Sequence, residues 1–252
     1  MMKRLLWILC ACTLMVACAP PRDKQHFNLK NTTWRAYSNG DYLRYQFLAF
    51  NGDGSSFSGD WITRWQNVPL PPPSPSSQVP ANLMRISNSI TPFNQPPRTM
   101  FYYIQQEKDR SVLFALQQEG GTAVNYLVDN NDKYGITLYP TNLTVGATQP
   151  TTVFSFVTCR DQLCSNKITG GSMDYYIETT EVVETPFGFF ECYRIKFKQN
   201  FNANFPLYNG TVWVYPPLGM VKASMSFLDS ASAKMYSYDE IALVETNIAV
   251  SP

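Results

Sequence analysis

The stretch GTVWVYPPLGMVK, residues 210–222, reads as a strand, a tight turn and a second strand, and it decides the fold class. Pro216 and Pro217 fix φ and donate no backbone hydrogen bond, so they end the first strand. Gly219 can take the positive φ that closes such a turn. Trp213, Tyr215 and Val221 are the expected core-facing anchors of the two strands.

The same logic recurs along the chain. DYLRYQFLAF, residues 41–50, is rich in β-formers, ends at the turn signal NGDG, and returns as FSGDWITRWQNV. TMFYYIQQE and SVLFALQQE flank the charged turn KDR, five more strand candidates follow residue 143, and YSYDEIALVET gives one further strand. No segment carries a 3.6-residue apolar stripe over eleven positions. The fold class is therefore all-β: a large antiparallel meander that forms a curved sheet or half-open barrel, with few short helices. Residues 81–87 and 228–234 are where a short helix fits. PLPPPSPSSQVP, residues 69–80, cannot lie inside a sheet and reads as an extended connection, with Pro71, Pro72 and Pro73 candidate partner contacts.

The first residues set the compartment. Met1, Met2, Lys3 and Arg4 make a short basic start, and about ten apolar residues follow, too few for a stable membrane span. Residues 1–17 read as a signal peptide. MVAC, residues 15–18, resembles a bacterial lipobox, which implies cleavage before Cys18 and its lipidation with the several acyl chains, palmitate among them, that stable attachment needs. Ala19 stands where retained inner-membrane lipoproteins carry Asp, so the resemblance implies the periplasmic face of the outer membrane. Residues 18–30 form a polar tether. Of 20 basic side chains, loss of Lys3 and Arg4 leaves 18 against 19 acidic ones, so there is no basic surface for nucleic acid.

Six cysteines and one histidine limit the chemistry. Beyond the signal peptide and Cys18 stand Cys159, Cys164 and Cys192, an odd number in an oxidising compartment. Cys159 can bridge Cys164 around a small loop, Cys192 can pair with either, or the thiols can stay reduced. His26 sits in the tether, which leaves no histidine for a Ser-His-Asp or Cys-His centre or a zinc site. The turn around Asn51 and Asp53 lacks the glutamate that would close a calcium loop. The sequence predicts no catalytic residues, no metal site and no cofactor.

VETPFGFFECYRIKF, residues 183–197, repeats the strand–turn–strand pattern. Together with residues 210–222 it resembles a broad group of bacterial envelope proteins of unknown function. Their C-terminal part carries V-x-T/V-P-x-G-x-F and then W-x-x-P-x-x-G-x-V-K. Val183, Pro186, Gly188, Phe190, Trp213, Pro216, Gly219, Val221 and Lys222 match these patterns, and Leu143 to Gly146 fits the usual start of the unit. The matched residues look like fold-makers. On this reading residues 31–140 form an N-terminal β region and 141–247 a C-terminal one, packed as one body.

The resulting expectation is a membrane-anchored periplasmic lipoprotein with a non-enzymatic binding or scaffolding role towards an envelope protein, in which Trp213 and Tyr215 are candidate contacts. The alternative is a carrier of a lipid or other apolar ligand. Its aromatic strands (Phe47, Phe50, Tyr102, Phe114, Tyr126, Phe154, Tyr176 and Phe197) would then line a cavity instead of filling a core. The remaining alternative, a glycan hydrolase, would use two of Asp60, Asp129, Asp174, Glu178 and Glu184.

Overall fold

A computed structural model describes residues 24–29, 34–68, 79–80, 83–92, 96–107, 110–121, 123–129, 131, 133–137, 143–148, 151–159, 164, 166–201, 207–229 and 234–250. Residues 1–17, expected to be a signal peptide, with Cys18 and Pro71 to Pro73, lie outside these residues.

Fourteen strands carry the fold. They are β1 (His26–Phe27), β2 (Tyr42–Phe50), β3 (Ser56–Asn67), β4 (Met84–Pro92), β5 (Arg98–Gln106), β6 (Ser111–Gln118) and β7 (Val124–Asp129). The second half supplies β8 (Ile136–Thr137), β9 (Thr152–Cys159), β10 (Asn166–Glu184), β11 (Phe189–Phe201), β12 (Leu207–Tyr215), β13 (Gly219–Asp229) and β14 (Lys234–Thr246). Each main strand pairs antiparallel with the next, β14 pairs with β2, and β11 pairs with β12. Twelve strands thus close into a ring, leaving β8 beside β6 and β1 parallel on the start of β11. The all-β antiparallel class is as the sequence predicts, and closure removes the sheet edges that a half-open barrel would leave. The short helices are not found among the described residues. Residues 84–87 belong to β4 and 228–229 to β13, because their neighbours offer a continuous ladder of partners.

Register shows which side chains fill the ring. In β2, Leu43, Tyr45, Phe47 and Ala49 are buried while the residues between them are not. Following their register partners around the ring places Trp65, Ile86, Ile104, Leu113, Leu127, Phe156, Phe154 and Met173 on the same inner face, in one cluster. Gly171 makes room for Phe154: a Cβ there would lie 2.5 Å from that ring. Each such buried side chain contributes about 1.5–3 kcal/mol through removal from water.

The wall is also covered on part of its outside. Tyr103, Ala115, Val124, Tyr126, Val128 and Val157 face outward across β5, β6, β7 and β9, yet they are buried under Val79, Leu83 and Tyr134. The proline-rich connection is therefore fastened at its C-terminal end, where Val79 packs on the wall.

Candidate functional site

The β10–β11 hairpin projects beyond its neighbours. Pairing of β10 with β9 ends at Met173, and β12 reaches β11 only as far as Tyr193. At the tip, Thr185 N–H donates to Gly188 O at 2.9 Å, and the Thr185 hydroxyl accepts from Gly188 N–H at 3.2 Å. Phe187 N–H then reaches back to Leu243 O at 3.2 Å, binding the tip to β14. Gly188 is required by close approach: a Cβ would stand 2.8 Å from Gln25 O and 2.9 Å from the Phe27 ring. That space lets β1 dock, with Phe27 stacked on Phe190 at 4.6 Å and Phe190 against Tyr215 at 5.4 Å.

An open cleft of about 740 Å³ lies on the outer wall below this tip. Its floor is Gln46 and Leu48 of β2, Asp60 of β3, Lys222 of β13 and Ala242 of β14, and its rim is Lys24, Glu184 and Pro186. Lys24 Nζ is 2.6 Å from Glu184 Oε1 and also donates to Thr185 O. Asp60 is held by Arg44 at 3.2 Å, and Arg44 extends to Glu245 at 3.1 Å. A hydrogen bond from the Tyr42 hydroxyl, and next the Arg44 guanidinium, hold the Glu245 carboxyl below its ordinary range. Glu240, an exposed residue lining the cleft, has φ +58°, a left-handed backbone that glutamate rarely adopts.

Beside the cleft the outer face of β10 to β13 carries a charged row. Trp213 pairs in register with both Arg194 and Lys222, and its Nε1–H donates to Glu181 Oε1. Arg194 and Lys222 lie 5.8 and 5.7 Å from its ring centroid. Glu178 bridges Arg194 and Lys196, and the Lys196 hydrogen bond holds its carboxyl low. Trp213 is thus half-buried on the outer face and not the inward anchor its apolar neighbours suggest, because the flanking register partners are all charged. Val221 and Tyr215 are buried as expected.

Cys159 and Cys164 form the disulfide, and Cys192 is a buried free thiol. Burial, with lesser contributions from Glu181 and Glu191, pushes that thiol far above its ordinary range. Of the carboxylates named from sequence, Asp60 and Glu184 meet at the cleft. Glu178 lies in the charged row and Asp174 accepts from Thr151, so those two are occupied elsewhere. Of the aromatic strand residues, Phe47 and Phe154 are inner-face core, Phe114 and Tyr126 belong to the covered outer cluster, and Tyr176 is exposed. Sequence reasoning did not single out Lys24 or Glu240. A tether lysine and a strand glutamate carry no mark of docking or of backbone strain. Among the described residues, no group of acidic, cysteine or histidine side chains could hold a metal ion.

No protein-family model and no curated protein matches the chain. Two solved structures are similar to it. One is a protein described as exported, with a YmcC-like fold, from Bacteroides fragilis: 12% identity, 85% of this chain and 99% of that one covered, TM-score 0.41. The other is described as a lipoprotein from Parabacteroides distasonis: 12% identity, 86% and 100% covered, TM-score 0.39.

Proposed function

We propose that the protein is a lipoprotein of the bacterial envelope, held through an acylated Cys18 on the periplasmic face of the outer membrane. It binds or scaffolds another envelope component there and catalyses no reaction. The observation that carries this reading is the outer cleft, whose walls are fixed by ion pairs and whose rim holds Glu240 in a left-handed conformation. Strain of this kind costs on the order of 1–3 kcal/mol and clusters where a surface is used.

The carboxylate electrostatics favour binding over hydrolysis. A glycosidase needs one carboxyl raised to act as an acid. Here Glu178 and Glu245, beside the cleft, are both shifted down. The test is a photo-crosslinking residue at Leu48, inside the cleft, against one at Gly52, in the β2–β3 turn. Binding predicts an adduct from Leu48 in cells that Ala242→Arg abolishes. Equal yields from both positions would overturn it.

One observation favours the carrier as a second reading. Towards the end of the ring bearing the β4–β5 connection, Trp61, Ile90, Tyr102 and Leu116 pack on the core but are only partly buried. The Trp61 Nε1 donor is buried without a hydrogen-bond partner. Native mass spectrometry of the protein purified from a periplasm separates the two: a carrier retains the extra mass of a lipid, and a bare mass rejects it.

A further inference from the structure

Among the described residues, Val145, Val153, Tyr176 and Val182 are large apolar side chains left exposed, and they lie on β10 or on segments beside it. Tyr176 and Val182 are on β10, at 39% and 62% exposure. Val153 pairs in register with Ser172 of β10, and Val145 sits in the turn whose Gly146 N–H donates to Ile177 O. The N-terminal chain arrives at the same hairpin. Gln25 O accepts from Phe189 N–H, β1 pairs with Phe189 and Phe190, and Lys24 grips Glu184 two residues from Val182.

Six residue steps separate Cys18 from Lys24, so the covalent chain can span no more than about 20 Å. The β2–β3 turn at Asn51 is at the far end of the wall, a strand of nine residues or about 27 Å from Tyr42. We infer that the projecting β10–β11 hairpin is the membrane-facing side of the protein, and that the bilayer holding Cys18 covers its apolar residues. This rests on the reading that Cys18 is acylated. A short tether keeps this surface at the headgroup layer, where a few apolar side chains gain contact without insertion of a spanning element. The turn at residues 51–55 then points away from the lipid.

The test uses the acylated full-length mature protein in phosphatidylethanolamine–phosphatidylglycerol vesicles containing a lipid with a nitroxide on its headgroup. Fluorescent thiol labels are placed by Val182→Cys, Tyr176→Cys or Gly52→Cys. The buried Cys192 and the bridged Cys159 and Cys164 leave the introduced thiol as the reactive one. The Val182 and Tyr176 labels should lose most of their fluorescence while the Gly52 label keeps its own. Quenching equal at all sites, or greater at Gly52, in protein that floats with the vesicles overturns the orientation alone. Protein that fails to float, like a Cys18→Ala control, overturns the anchoring and the orientation with it.

Discussion

Trp213 and Lys222 stand opposite each other across the β12–β13 hairpin, with the ammonium 5.7 Å from the indole centroid. The indole N–H is simultaneously committed to Glu181, which belongs to β10, so one side chain ties three strands and the acidic part of the charged row together. Trp213→Phe keeps an aromatic ring but removes the donor and part of the indole face. It should cost about 1.5 kcal/mol, the low end for a hydrogen bond to a charged group, because the pair is only part-buried. A urea double-mutant cycle with Glu181→Ala, which removes the acceptor, checks this: additive effects would show that the bond contributes nothing.

The turn closing that hairpin is limited to glycine for two reasons. Gly219 has φ +82°, and a Cβ would come within 2.3 Å of the Tyr37 hydroxyl, which itself donates to Leu218 O at 2.9 Å. Gly219→Ala should therefore lower stability by about 2 kcal/mol or more. Tyr37→Phe in the same chain removes the clash but not the backbone strain, so it should recover part of the loss. No recovery would mean that Tyr37 already moves aside freely.

Both of these turns were legible from sequence because proline and glycine act locally. PPLG at residues 216–219 and TPFG at 185–188 mark the two hairpin ends, although glycine at 188 answers to the close approach of Gln25 and Phe27 and not to the turn alone. The alternation of β2 was legible for a similar reason, since one face is core and the other solvent. What could not be read was closure, which depends on β11 meeting β12 as well as β10. Nor could the second buried layer be read: VNYLVD in β7 is buried on both faces, and only the tertiary fold says what covers it. The cleft was hidden for the same reason, because it joins a lysine just before β1, a hairpin tip and the outer faces of four strands far apart in sequence.

The cysteines give a labelling prediction. Native protein should be inert to iodoacetamide at Cys192, whose thiol is buried and shifted strongly upward by burial first and neighbouring carboxylates second. Unfolding without reductant should expose Cys192 alone, and unfolding with reductant should add Cys159 and Cys164, read by mass spectrometry. Cutting the small loop they close should cost about 2 kcal/mol in the chain-entropy account. Rapid native labelling of Cys192 would show that β11 opens locally.

Stability should fall in acid through Glu178 and Glu245. Both carboxyls are depressed in the fold, Glu178 chiefly by the Lys196 hydrogen bond and Glu245 chiefly by the Tyr42 hydroxyl. Their stabilisation is therefore complete above the ordinary glutamate value of 4.5 and is lost as pH falls through the lower folded value. In that window the unfolded chain binds more protons, so stability rises with pH. Lys196→Met should flatten the acid limb of urea midpoints, and added salt should shrink the difference because the pairs are solvent-exposed. An unchanged acid limb in Lys196→Met would remove Glu178 from the account.

Glu240 separates stability from function. Its φ of +58° is costly for a glutamate and free for a glycine, and its side chain is exposed at the cleft. Glu240→Gly should therefore raise the urea-derived stability by about 0.5–1 kcal/mol, the usual gain for glycine in the left-handed region less its added chain entropy. If the carboxylate is part of the binding surface, the same substitution should weaken the adduct formed from a photo-crosslinker at Leu48. Greater stability with weaker crosslinking would show that the strain is retained for the carboxylate's position. A variant that is more stable and crosslinks normally would remove Glu240 from the site, leaving the ion-paired walls of the cleft to carry binding.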